Sequence, residues 1–367
     1  MPIEIETIQK TATRNQKRDM FSSRKFRFWI QLASFVFILC IGIEFYLWVG
    51  FIESGGDAVT IPSRPAGVEG FLPLSALISI RDWFYSDHLN TIHPASVIIL
   101  LTVIALAFLF KKGFCGWICP VGFVSEIIAE WGDRIVRLLH LKRNKDENEI
   151  KDHRLKLPHF LDYPLRSVKY LLLLFFLYAI FVMMSPMEIH NFIASPYNKV
   201  ADIKMLKFFT EIDAVGFWTI GTLFILSILL RGFWCRYLCP YGALLGLISL
   251  IGPGKIKRDE NICISCGRCA RACPSFIKVD QVKQIISDEC SGCLDCIDVC
   301  PAEGSLNLST VGRRLSPRIW GFAVVILFWG SLFVFKLSGP WQSNISTEEY
   351  IYHVERMDES EYTHPGR

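Results

Sequence analysis

Apolar residues gather into five long runs separated by polar loops: Phe28–Phe51, Ile92–Phe110, Ser167–Met187, Ile212–Leu230 and Ile319–Phe335. Each run is near the length of a helix that spans a hydrocarbon core about 30 Å thick, so the pattern predicts an α-helical polytopic membrane protein with about five spans. Several runs are short, and their ends must then rely on snorkelling, as Lys169 would from the third. The run Phe71–Ile80 is only ten residues long, too short to cross, and is expected to lie in or near the interface.

Basic residues orient the predicted spans. Residues 1–27, 111–167 and 231–318 carry 7, 11 and 12 Lys and Arg, whereas 52–91, 188–211 and 336–367 carry 2, 3 and 3. The split is 30 against 8, with Lys169 inside a span. Since short basic loops stay cytoplasmic, the amino terminus is expected on the cytoplasmic side and the carboxyl terminus outside. The leader is long and the first apolar run exceeds a signal core, so no cleavable signal peptide is expected. Mean hydropathy is +0.34 and net charge +4. That charge follows from the lopsided loops and argues for the lipid bilayer as partner, not nucleic acid.

The candidate chemistry is cysteine. Eight of thirteen cysteines form two tandem strings, Cys263-x-x-Cys266-x-x-Cys269-x-x-x-Cys273-Pro274 and Cys290-x-x-Cys293-x-x-Cys296-x-x-x-Cys300-Pro301. Thiolates in this rhythm wrap a [4Fe–4S] cube when the backbone coils around it, and in two-cluster arrangements the fourth ligand comes from the other string. Cys263, Cys266, Cys269 and Cys300 are therefore expected to hold one cluster, and Cys290, Cys293, Cys296 and Cys273 the second. Zinc knuckles use two cysteines each, so structural zinc or a disulfide framework fits this rhythm poorly. All twelve motif cysteines fall on the side predicted to be cytoplasmic or at its boundary, where thiols stay reduced.

The other four belong to an internal repeat. Lys112-Gly113-Phe114-Cys115-Gly116-Trp117-Ile118-Cys119-Pro120-Val121-Gly122 recurs, with one insertion, from Arg231 as Gly232-Phe233-Trp234-Cys235-Arg236-Tyr237-Leu238-Cys239-Pro240-Tyr241-Gly242. Each copy closes the second or fourth predicted span and precedes an apolar or amphipathic stretch, Val121–Leu141 or Tyr241–Ile251. A duplicated two-helix unit related by pseudo-symmetry is expected. Spaced at i and i+4, the cysteines would share a helix face, and two facing copies would present four thiols. Four thiolates suit iron, zinc or Cu(I), so Cys115, Cys119, Cys235 and Cys239 are candidates for an additional metal or for thiol redox chemistry; the plain alternative is helix packing.

The chain thus divides into a basic leader at 1–27, a four-span core at 28–251, an inserted small α+β ferredoxin domain with two [4Fe–4S] clusters at 252–312, a fifth span at 313–338 and a periplasmic tail at 339–367. FCGWICPVG and WCRYLCPYG followed by the tandem cysteine strings, together with Arg64–Gly70, Leu165–Leu173 and Ser195–Tyr197, resemble the polytopic membrane ferredoxins of the NapH type and the membrane portion of NosR proteins. The resemblance runs from the first span to Trp341-Gln342-Ser343. It implies an inner-membrane component passing electrons between the quinone pool and a redox partner protein. A related group with the same twin motifs assists copper delivery to oxidases, which implies the rival function of a metal reduction or assembly factor. A redox-sensing regulator is a third class, for which no signalling module is visible.

Other positions carry less. His93 and His190, near outer span ends, could assist quinol deprotonation or ligate haem, against the commoner role of a hydrogen-bonded interface residue. Glu44 is an intramembrane acid and so a functional candidate, with a snorkelling carboxyl as its alternative. Cys40 is expected to pack. Trp29, Trp48, Trp83 and Trp218 read as an aromatic belt. Lys142–Lys156 reads as a solvated linker. No Gly-x-Gly-x-x-Gly, Walker loop or Cys-x-x-Cys-His string occurs, which points to an electron-transfer component served by a partner and away from a stand-alone enzyme.

Overall fold

Proline sets where many helices begin. Helices start at Pro73, Pro94, Pro120, Pro186, Pro196, Pro240 and Pro317, first-turn positions where its missing N–H is no loss. The computed structural model describes residues 23–56, 63–141, 157–339 and 341–362. Most of the leader, the linker Lys142–Lys156 and the last five residues lie outside them.

Among the described residues, three helices are long and apolar enough to cross a membrane: Ser23–Glu53, Phe160–Met183 and Pro317–Leu337, of 31, 24 and 21 residues. The fourth expected span, Ile212–Leu230, is the helix Ala214–Leu229, and a further helix precedes it at a sharp angle. Ala201–Thr210 and Ala214–Leu229 meet at a 78° bend. Asp213 makes the new start by accepting the Gly216 N–H at 2.7 Å. The second expected span is the 17-residue helix Pro94–Phe110. At 1.5 Å per residue it reaches about 25 Å, short of a full hydrocarbon core.

Two compact units emerge. The first comprises Met1–Phe35, Ile104–Lys169 and Ile225–Phe328, and contains all twelve motif cysteines. Its sheet is formed by β1 (Lys255–Arg258), β2 (Leu306–Thr310) and β3 (Arg313–Leu315), antiparallel in that order. Val311 and Gly312, at φ 47° and 75°, make the two-residue turn between β2 and β3, since paired left-handed residues match strand twist. Short helices Arg268–Ala272 and Asp295–Asp298 complete the cysteine-rich segment.

The second unit comprises Val36–Val103, Tyr170–Phe224 and Trp329–Arg367. Phe45, Trp48, Val68, Ile203 and Tyr350 share its main core. Trp48 therefore packs inside, with its ring edge against Tyr350, instead of joining an aromatic belt; Trp29, Trp83 and Trp218 are exposed. The segment Phe71–Ile80 falls largely in helix Pro73–Ser86, which buries Ser75, Ser79 and Arg81 and packs against helix Pro186–Ala194. Arg64 lies between Glu69 at 2.8 Å and Asp202 at 2.7 Å, all three buried. His93 meets the Asn198 carbonyl at 2.7 Å, the hydrogen-bonded alternative of the sequence reading, while His190 is exposed. Glu44 and Cys40 face outward from helix Ser23–Glu53, so Cys40 does not pack inside.

Candidate iron–sulfur centre and paired cysteine motifs

The two cysteine strings fold alike. Ser265 and Gly267 have φ of 53° and 68°, and the corresponding Gly292 and Leu294 have 64° and 67°. Alternating left-handed residues curl each backbone around its own thiols, and each curl runs into a short helix carrying the third cysteine. Leu294 adopts this conformation against the preference of a bulky residue, a feature sequence reading missed.

Cys263, Cys266, Cys269 and Cys300 line one pocket, joined by Arg258, Asp280 and Pro301. This is the set expected for the first cluster. Cys266 is exposed and Cys269 buried. Burial tends to raise the Cys263 thiol, yet the Ser265 amide and Arg258 guanidinium hold it below the usual range. The other set is more enclosed: Cys273, Cys290 and Cys296 are each at most 8% exposed. Burial pushes the Cys273 thiol up to about 11, with Cys290 adding to the effect. Cys296 is pushed well up by burial and by Cys293, Cys290 and Cys273. Thiols crowded out of water in this way ionise when a metal centre supplies the positive charge.

The paired motifs break where the sequence reading has one helix. Helix Gly113–Trp117 carries Cys115 and ends before Cys119, and the next helix starts at Pro120. The second copy has a π-helical turn, Trp234–Leu238, then Cys239 as cap of helix Pro240–Ile251, its Sγ accepting the Gly242 N–H at 3.3 Å. A proline ring would clash with the carbonyl four residues back, so neither helix runs through its second cysteine. The copies nevertheless face each other. Cys115 lies within electrostatic reach of Cys119, Cys239 and Cys235, and the Phe114 and Tyr241 rings meet edge to face at 6.3 Å. Among the described residues no three His, Cys, Asp or Glu side chains are placed to share a single metal ion.

Both copies grip the enclosed set. From the first, the Lys112 N–H donates to the Cys290 carbonyl at 3.4 Å and Trp117 Nε1 to the Gly292 carbonyl at 2.9 Å. Gly116 sits so close that a Cβ there would stand 2.5 Å from the Ser291 oxygen. From the second, Arg236 donates to the Ser275 carbonyl at 3.2 Å and lies 5.3 Å over the Phe276 ring, two and three residues beyond Cys273.

Family comparisons agree with this layout. A 4Fe-4S dicluster domain matches residues 255–301, and a 4Fe-4S binding domain matches twice, at 92–138 and 214–259, one match per copy of the repeat. YccM of Escherichia coli K12, provisionally named an electron transport protein, is 37% identical over 327 residues, 87% of each chain. The chain belongs to the membrane ferredoxin family of YccM and NapH. NapH of Haemophilus influenzae, a ferredoxin-type protein, is 26% identical over 80% of this chain and 93% of its own. The regulatory protein NosR of Stutzerimonas stutzeri is 25% identical over 55% of this chain and 25% of its own. No solved structure matches. As a member of this family, the chain is a membrane iron–sulfur protein of electron transport.

An iron–sulfur cluster on four thiolates is anionic, and the enclosed set is surrounded by groups that suit such a charge. Arg27, Lys111 and Lys112 are buried cations near it, each acting electrostatically on Cys293 or Cys290. Arg27 Nε is buried with no hydrogen-bond partner, an orphan donor of the kind an anionic group satisfies. In the sequence Arg27 belongs to the leader and Lys111 and Lys112 to a basic loop; their burial is a tertiary fact that local pattern does not carry. Lys169 is likewise corrected: it is fully buried and paired with Glu289, the neighbour of Cys290, and does not snorkel.

Proposed function

We propose that this chain relays electrons between membrane quinol and a partner protein through two [4Fe–4S] clusters. One would be held by Cys290, Cys293, Cys296 and Cys273, the other by Cys263, Cys266, Cys269 and Cys300. The observation that carries this reading is the order of the sites. Paired motifs seat directly on the enclosed set, while the other set opens to solvent through Cys266. Electrons would enter beside Cys115, Cys119, Cys235 and Cys239, pass the enclosed set and leave at the exposed one. One quinol gives up two electrons and two protons, which is one electron for each cluster.

The cysteine-rich segment 252–312 and the leader belong in this reading to the cytoplasm, with the end of the chain in the periplasm, as the basic loops favour. The test uses the full chain in lipid nanodiscs under anaerobic conditions. Menaquinol or ubiquinol analogues should bring up iron–sulfur EPR signals within the turnover time of the membrane system. Clusters that dithionite reduces but no quinol does would contradict the quinone assignment.

A further inference from the structure

Lys111 is the least expected residue near the enclosed cysteines. It is 1% exposed and has a left-handed φ of 58°, a conformation a non-glycine residue keeps only when its surroundings enforce it. Its backbone lies against the ligand turn: a Cβ added to Gly292 would stand 3.6 Å from Lys111 Cβ and 3.0 Å from the Phe110 oxygen. The next residue, Lys112, donates its N–H to the Cys290 carbonyl at 3.4 Å.

Other buried cations nearby have carboxylate partners. Lys112 faces Glu289 at 3.8 Å, and Arg27 faces Glu126 at 2.6 Å and Asp295 at 3.3 Å. Lys169 has Glu289 and Asp288. Lys111 has none within ion-pair distance among the described residues; its Nζ donates to the Ser249 carbonyl at 3.2 Å, one of three donor positions. An ammonium buried without an anion is costly, and an anion close by removes that cost. Four thiolates outweigh the positive charge of an iron–sulfur core, and reduction adds one more negative charge. A fixed cation therefore favours the reduced state.

We propose that Lys111 is the buried counter-charge of the cluster at Cys290, Cys293, Cys296 and Cys273 and raises its reduction potential. This rests on the ligand set proposed above. The competing role is structural, a cap on the carbonyl end of helix Pro240–Ile251 through Ser249. A cap would affect stability but not potential.

The test is potentiometric EPR titration of the full chain in nanodiscs, with iron counted in each sample. In Lys111→Met, one of the two midpoints should move to more negative potential while the other stays, and Lys111→Arg should restore the original value. Lys111→Gln, which keeps a donor for Ser249, should behave as Lys111→Met. Loss of the enclosed cluster alone in both neutral variants, with retention in Lys111→Arg, supports the same charge requirement. Both midpoints unchanged in either neutral variant that loads its iron, or loss of the enclosed cluster in Lys111→Arg as well, would overturn the proposal. Absence of two clusters from the unsubstituted chain would instead strike the ligand set.

Discussion

Replacing Cys266 by Ser is expected to remove about four of about eight iron atoms per chain, because each cluster depends on four thiolates. Cys266 is the exposed member of its set and lines the pocket with Cys263, Cys269 and Cys300, so the substitution withdraws a ligand without emptying the buried core. The remaining signal should also broaden or shift. The strings are joined at Cys273 and Cys300, each of which lies in one string and beside the thiols of the other. Iron analysis with EPR reads both effects, and two intact signals in Cys266→Ser would refute the crossed ligand assignment.

The largest functional effect is expected from the paired motifs. The double variant Cys119→Ala with Cys239→Ala should bring quinol-linked electron flow to background while both clusters still assemble. Those clusters have all eight of their own thiols, whereas Cys119 and Cys239 sit at the start of the helices that follow each copy. Structural disturbance should be small, since alanine is smaller than cysteine and the helix starts are fixed by Pro120 and Pro240. Quinol oxidation is followed against dithionite reduction of the same sample. Normal quinol-linked flow would reduce Cys115, Cys119, Cys235 and Cys239 to helix packing.

What could be read from the sequence had a local cause. The two strings and the repeat are matters of covalent spacing, and the pocket that gathers Cys300 with Cys263, Cys266 and Cys269 follows that spacing, as do the facing copies. The helix break at Cys119 is also legible, since Pro120 and Pro240 forbid an unbroken helix, and the i and i+4 expectation for the cysteine pairs fails across it. Span lengths were only partly legible. Ile212–Leu230 held as the helix Ala214–Leu229, started by Asp213, but the helix Ala201–Thr210 that precedes it at a 78° bend was not foreseen. Lys169, Lys111 and Arg27 were out of reach, because whether a cation snorkels or pairs inside depends on residues more than a hundred positions away, such as Glu289 for Lys169.

The central claim is that this chain carries two cubane clusters on its eight tandem cysteines. Anaerobic purification of the full chain with iron, sulfide, zinc and copper quantitation, followed by EPR of the reduced protein, tests it most directly. About eight iron and eight sulfide per chain with two interacting [4Fe–4S] signals are expected. Stoichiometric zinc, or about four iron with a single signal, would contradict it.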